Sequence, residues 1–115
     1  MRELRIGEQT VRVRATPLAL LFYKQEFGSD VLGDLIKLQA VQNDPSKFDS
    51  VGTLQLMWAM AKADAYGHGV FPSFPEWLSG LEGLDLSDTE LYTAVYNEAI
   101  EGFFRKVAGA KPQRR

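Results

Sequence analysis

Residues 71–106 read FPSFPEWLSGLEGLDLSDTELYTAVYNEAIEGFFRK, and they decide the fold because they join a short Trp-bearing helix to a long helix with a wide apolar surface. At about 100° per residue, the apolar side chains of the long helix fall into two adjacent i, i+4 rows. The rows are Leu91/Val95/Ala99/Phe103/Val107 and Tyr92/Tyr96/Ile100/Phe104, and the polar face is Asn97, Glu98, Glu101 and Arg105. A helix packed on one core needs an apolar stripe of only about 100°. The second row therefore predicts a second contact, for which another chain is a candidate.

The composition predicts one domain that folds without covalent cross-links. A chain of 115 residues with 45% hydrophobic content is long enough to bury a single core. Cysteine is absent, which excludes disulfides, thiol catalysis and thiolate-bound metals and fits a reducing cytoplasm. Residues 1–14 lack the apolar run of a signal peptide, and no segment has the ~20 apolar residues of a membrane span. We therefore expect a soluble cytoplasmic protein that does not enter membranes.

Charge is distributed unevenly along the chain. The formal net charge is -2, but residues 1–14 carry +2, residues 105–115 carry +5 and the residues between them carry -9. One interpretation is that the basic residues keep an edge strand and a terminal tail in solution. Another is that they complement an oppositely charged partner or a second copy of the chain. Nucleic acid is not an expected partner, because an acidic body with a pI of about 5.4 repels phosphates.

The first fourteen residues alternate between apolar and polar side chains, which is typical of β-strands. Gly7-Glu8-Gln9 separates the two runs and can close a hairpin, because glycine tolerates a positive φ angle. Two strands are only marginally stable by themselves. We therefore expect their apolar face to pack on helices; this face consists of Leu4, Ile6, Val11 and Val13.

Helix start and stop signals divide the rest of the chain. Thr16-Pro17 predicts a helix that Gly28 ends. The second predicted helix is capped by Ser29 or Asp30 and ends near residues 43–45. The third is a central buried helix over 51–66, capped by Asp49 or Ser50. A short helix then runs from Ser73 to about Leu81, and a long helix capped by Ser87 runs from Asp88 to about Ala108. The predicted fold class is mainly α, a small domain of four to five helices with an N-terminal β-hairpin (α+β). It spans residues 1–108 with the hairpin at 1–14, and residues 109–115 form a disordered basic tail.

No pattern in the chain predicts catalysis. His68 is the single histidine, so an imidazole metal site has no second ligand of that kind. The acidic residues of the second half suit helix N-termini better than a calcium loop; they are Glu76, Glu82, Asp85, Asp88 and Glu90. The phosphate-binding glycine motifs and the GxSxG nucleophile motif are absent from the sequence. We expect a protein that is not an enzyme and has no cofactor or metal.

The aromatic residues before and within the short helix have two interpretations. Phe71, Phe74 and Trp77 are spaced i, i+3, i+6, and large aromatics are normally buried in the core. The alternative is an exposed groove, shared with Phe103 and Phe104, that grips a partner helix. Adjacent helical residues diverge by about 100°, so one of this phenylalanine pair lies nearer the rim. The candidate protein-binding residues are Tyr92, Tyr96, Ile100, Phe103, Phe104, Phe71, Phe74 and Trp77.

The order of these elements resembles a known family. A hairpin is followed by LALLFYKQEFG at 18–28, an apolar helix, FPSFPEWLSGL at 71–81, a DLS cap and NEAIEGFFRK at 97–106. This arrangement resembles the tail assembly chaperones of long-tailed phages and prophages, especially those of Gram-positive hosts. The resemblance covers nearly the whole chain and rests on element order and short segments, without a catalytic signature.

The resemblance implies a small helical protein that coats the tape measure protein, keeps its hydrophobic helices soluble and delivers it to the growing tail tube. Such proteins act in the host cytoplasm and are not expected in the virion. In many of these phages a ribosomal frameshift also produces a longer form, and this chain would correspond to the short one. The alternatives are a minor structural tail component, such as a completion or connector protein, and a small protein-interaction adaptor. A ligand pocket around His68 and Trp58 is a more distant possibility.

If the second row of the long helix is an interface, Phe104→Asp should convert an oligomer into a folded monomer, because a buried carboxylate opposes association. Light scattering after size exclusion measures this for wild type and variant in parallel. A monomeric wild type together with an unfolded variant would place the row in the core instead.

Overall fold

A computed structural model describes residues 1–28, 50–85 and 89–103 of the chain. These ranges contain an N-terminal hairpin and four α-helices, which confirms the predicted mainly α fold with a two-stranded sheet. The elements are β1 (Arg2–Ile6), β2 (Gln9–Val13), α1 (Pro17–Phe27), α2 (Ser50–Asp64), α3 (Phe74–Ser79) and α4 (Thr89–Phe103). 

The hairpin packs on helices through its apolar face, as expected. β1 and β2 are antiparallel with Ile6 opposite Gln9, so a two-residue turn of Gly7 and Glu8 joins them. Gln9 was predicted in the turn but is the first residue of β2, because a φ angle of 62° at Gly7 closes the shorter loop. β2 packs on α2 and β1 on α4. Leu4, Ile6 and Val13 are buried, and Val11 is half-buried.

Helix α1 begins and ends where the sequence predicts. Pro17 occupies the first turn, and Gly28 at φ 74° ends the helix with its N–H donating to the Lys24 carbonyl. The role of Thr16 differs from the prediction. Its hydroxyl makes no capping hydrogen bond, and its Oγ1 is buried without a partner among the described residues. Proline and glycine, rather than the threonine hydroxyl, therefore define this helix.

Helix α2 is the central buried helix. Its buried side chains face all directions; they are Thr53, Leu54, Leu56, Met57, Trp58, Ala59, Met60, Ala61 and Ala63. The helix ends at Asp64 instead of Tyr66, and Gly67 and Gly69 follow at φ 89° and 110°. Ser50 is helical and is therefore not the cap. A helix buried on all sides must be covered by several neighbours.

A capping box starts α3, as the sequence indicates. The Ser73 hydroxyl accepts from the Glu76 N–H at 3.4 Å, and the Glu76 carboxylate accepts from the Ser73 N–H at 3.1 Å. The helix ends at Ser79, two residues before the predicted Leu81.

Several sequence predictions fall outside the described residues. They are the helix ending near 43–45 with its cap at Ser29 or Asp30, the cap at Asp49, the cap at Ser87 with the helix start at Asp88, the continuation of α4 to Ala108, and the tail 109–115.

Glu98 is the main departure from the predicted polar face of α4. It is only 6% exposed, and its Oε2 accepts the Ala15 N–H at 3.0 Å. Its other oxygen lies 3.6 Å from Arg2 Nε. One turn later, Gly102 packs so closely on Ala15 that a Cβ there would overlap the Ala15 Cβ and carbonyl oxygen. Glu98 and Gly102 therefore fix α4 to the connection between β2 and α1.

A second ion-pair group joins the hairpin to α2. Arg12 Nε and Arg14 Nε lie 3.0 Å and 3.2 Å from the two oxygens of Asp64, whose side chain is 10% exposed. Arg14 also donates its backbone N–H to the Met60 carbonyl at 3.0 Å. These two arginines of the basic N-terminal end therefore pair with an acidic residue of the same chain, rather than with a second copy.

Glu98→Ala should lower the free energy of unfolding by about 1–3 kcal/mol, because it leaves the Ala15 N–H buried without an acceptor. Glu101→Ala is the matched control, since the Glu101 side chain is 62% exposed and its pair with Arg2 should contribute less than about 1 kcal/mol. Urea unfolding measures both. Equal losses for the two variants would contradict the role assigned to Glu98.

Candidate protein-binding surface

The segment from the end of α2 to Leu81, just beyond α3, carries apolar side chains that the monomer does not fully bury. Val70 is 101% exposed and Tyr66 is 66% exposed. The half-buried members are Phe71, Phe74, Trp77, Leu78 and Leu81. We call these seven side chains the 66–81 surface. These side chains are close together in the sequence, and exposed apolar patches are a feature of protein interaction sites.

The aromatic side chains of this surface are anchored on the core along one side. The Phe74 ring lies 5.0 Å from that of Phe27 and 6.2 Å from that of Trp58, both edge to face. Phe71 lies 6.3 Å from the Trp58 ring, and Trp58 Nε1 donates to the Pro72 carbonyl at 3.1 Å. The aromatic side chains therefore pack on the core, as the first interpretation expects, and each keeps part of its surface exposed. The groove shared with Phe103 and Phe104 stays a prediction.

The hairpin holds the far end of α3. The Gln9 amide donates to the Gly80 carbonyl at 3.0 Å and accepts the Glu82 N–H at 2.8 Å. One side chain thus provides the paired hydrogen bonds that a neighbouring strand would supply. Gly7 and Gly83 also lie so close that a Cβ on Gly83 would be 2.9 Å from the Gly7 Cα. The 66–81 surface is therefore held at both ends, by Trp58 and by Gln9.

The candidate residues on α4 are less accessible than the sequence predicts. Tyr92 and Tyr96 are 4% and 6% exposed within a single chain, so they offer no surface to a partner in this structure. The prediction of an exposed second row therefore does not hold for these two. Ile100 and Phe103 are half-buried, and Phe103 packs against the core. Phe104 lies outside the described residues. The wide apolar face of α4 is explained, over its first two turns, by burial within the monomer.

Tyr96 is buried with an unsatisfied polar group. Its hydroxyl oxygen has no hydrogen-bond partner among the described residues. Burial raises the pKa of Tyr96 above its ordinary value of 10.0, because the anionic phenolate is poorly solvated there.

The polar groups near the surface act as structural residues. Glu76 forms the capping box of α3, and Glu90 lies in the first turn of α4, where an acidic side chain opposes the helix dipole. His68 is exposed in the loop between two glycines. Among the described residues, no group of three His, Cys, Asp or Glu side chains is placed to hold a metal ion.

A shallow open depression of about 250 Å³ lies beside Arg2 and α4, with Glu90 and Asn97 in its lining.

Sequence reasoning missed four residues that define this region. Val70 and Tyr66 belong to the turn after α2, where periodicity carries no information about exposure. Gln9 and Glu98 act through partners more than 70 residues away in the chain. For Glu98 a signal existed, since it lies between Val95 and Ala99 at the border of the apolar rows.

Comparison of the chain with protein-family models, with curated proteins and with solved structures gave no match in any of the three. Within residues 1–28, 50–85 and 89–103, no helix is both long enough and apolar enough to span a bilayer.

Tyr96→Phe should leave stability at neutral pH unchanged or raise it by up to about 1 kcal/mol, because the variant removes an unpaired buried hydroxyl. The neutral phenol is favoured in the folded state, so its contribution is present below pH 10 and is lost as the pH rises through the elevated pKa. The variant should lose less stability than wild type between pH 8 and pH 11, as measured by urea unfolding. Tyr66→Phe, at an exposed site, is the control. A large loss of stability in Tyr96→Phe at neutral pH would show that the hydroxyl has a partner.

Proposed function

We propose that the protein is a tail assembly chaperone of a long-tailed phage or prophage, which binds the tape measure protein and keeps it soluble for tail tube assembly. It works by binding and catalyses no reaction. It acts in the host cytoplasm, associates with other copies along its client and is absent from the mature virion. The sequence resemblance described above is the origin of this proposal.

The 66–81 surface is the observation that supports the proposal most. A tape measure protein exposes long apolar helices, and a protein that keeps them soluble needs apolar side chains presented to solvent. Val70 and Tyr66 are exposed, and the rings of Phe71 and Phe74 are fixed by Trp58 rather than free to collapse. Side chains that are already ordered lose less conformational entropy on binding.

The architecture is also in agreement with what the resemblance implies. The family is expected to combine a small helical domain with an N-terminal hairpin, and this chain does so in the described ranges. Repeated binding along one long client would provide avidity, so each single contact can be weak.

Co-expression with the tape measure protein of the same tail gene cluster tests the proposal. Wild type should move this client into the soluble fraction and co-purify with it. Val70→Asp should reduce recovery by about tenfold, because it places a charge on the apolar surface proposed to contact the client. Val70 is fully exposed, so this variant should fold as wild type does. Leu21→Asp is the matched control, at a 49% exposed leucine on α1.

Three results would contradict the proposal: a client that is soluble without the protein, a client that stays insoluble with it, or equal recovery with Val70→Asp. Mass spectrometry of purified particles separates the main alternative. A chaperone should be missing from them, whereas a completion or connector protein should be present in fixed copy number.

A further inference from the structure

Within the described ranges, the outer edge of β1 pairs with no other strand. In an antiparallel hairpin alternate residues direct their N–H and C=O groups to the partner strand, and the pair flanking a two-residue turn is hydrogen-bonded. Ile6 opposite Gln9 is that pair, so the backbone groups of Glu3 and Arg5 point away from β2. The sheet has two strands in the described ranges, and no third strand pairs with this edge there.

The opposite edge of the sheet is partly occupied. The N–H of Arg14, just beyond β2, donates to the Met60 carbonyl of α2, and Arg12 and Arg14 are held by Asp64. Glu3 and Arg5 are exposed and do not belong to these ion-pair groups. As far as the described part of the chain shows, β1 is thus the edge available to another strand.

We propose that β1 pairs with β1 of a second copy of this chain, antiparallel across a two-fold axis at Leu4, so that two hairpins form one four-stranded sheet. In this register Glu3 lies opposite Arg5 of the second copy, and Arg5 lies opposite Glu3. Opposed residues of antiparallel strands share one face, so both pairs form cross-strand ion pairs on the exposed face. The arrangement is isologous and closes as a dimer.

The hydrogen-bond pattern selects the same register. Glu3 and Arg5 are the residues whose backbone groups face outward, and pairing each with the other gives two hydrogen-bonded pairs with Leu4 opposite Leu4 between them. A shift by two residues would oppose Glu3 to Glu3 or Arg5 to Arg5, and like charges directly opposite are destabilising. A shift by one residue would oppose Glu3 or Arg5 to a residue whose N–H and C=O groups already face β2. It would also place the apolar face of one hairpin on the exposed side of the other. Charge and backbone geometry therefore agree on one pairing.

The contact is small, because β1 has five residues. Stable interfaces bury more surface than a single strand pair, so this dimer is weak and depends on concentration. The inference does not rest on the proposed function, since it follows from the edge and the charges of β1.

Charge reversal with mixing tests the pairing on the full chain. Glu3→Arg and Arg5→Glu should each weaken self-association by about tenfold or more, because both ion pairs become repulsive. An equimolar mixture of the two variants should associate about as well as wild type, since every opposed pair is then attractive. The double variant Glu3→Arg/Arg5→Glu should also associate. Sedimentation equilibrium up to about 1 mM chain covers weak association.

Arg5→Pro is the second variant. Proline is tolerated at a strand edge whose N–H faces solvent, so the hairpin should persist while the edge is blocked. Circular dichroism checks the fold of each variant. This matters for Glu3→Arg, because Glu3 lies opposite Arg12 in the hairpin and the substitution places two arginines opposite each other. The proposal is overturned by a wild type that stays monomeric, by a mixture that does not associate, or by a folded Arg5→Pro that associates as wild type does.

Discussion

The burial of α2 on all its sides is the constraint on which the rest of the structure depends. Trp58, Met57 and Met60 are each no more than 1% exposed, so this helix cannot be covered by a single neighbour. The hairpin packs along it through β2, and α1, α3 and α4 contact it from other directions. Trp58 then determines where the 66–81 surface lies, because the rings of Phe71 and Phe74 pack on it. The candidate binding surface is therefore a consequence of how the central helix is covered.

Two carboxylates, the buried one of Glu98 and the half-buried one of Asp64, fix the packing that the apolar contacts leave adjustable. Asp64 holds Arg12 and Arg14, and Glu98 accepts the Ala15 N–H. Apolar contacts are not directional, whereas a buried carboxylate must find its donors and so fixes the relative position of two elements. These pairs also neutralise much of the positive charge of the hairpin within the chain. Glu3 and Arg5 are left exposed on the strand edge, and the proposed pairing of two copies is based on their charges.

Local structure was predictable from the sequence, and long-range contacts were not. Pro17 with Gly28, and Ser73 with Glu76, act on backbone groups within a few residues, so their signals can be read directly. Glu98 is polar and was predicted on the solvent face, but its burial depends on Ala15, 83 residues earlier in the chain. Of the two apolar rows of α4, Leu91, Val95, Ala99, Tyr92 and Tyr96 are buried, yet periodicity states only that a side chain avoids water. It does not distinguish a contact inside the chain, as for Tyr92 and Tyr96, from a contact with another molecule.

Native-state amide hydrogen exchange tests most directly the claim that α2 organises the fold and that α3 is carried on it. The amides of Met57 to Met60 should exchange only through global unfolding, and therefore most slowly in the chain. Those of α3, which is short and has no fully buried side chain, should exchange faster through local opening that leaves α2 intact. Exchange of α2 at the same rate as α3, or faster, would contradict this account of the structure.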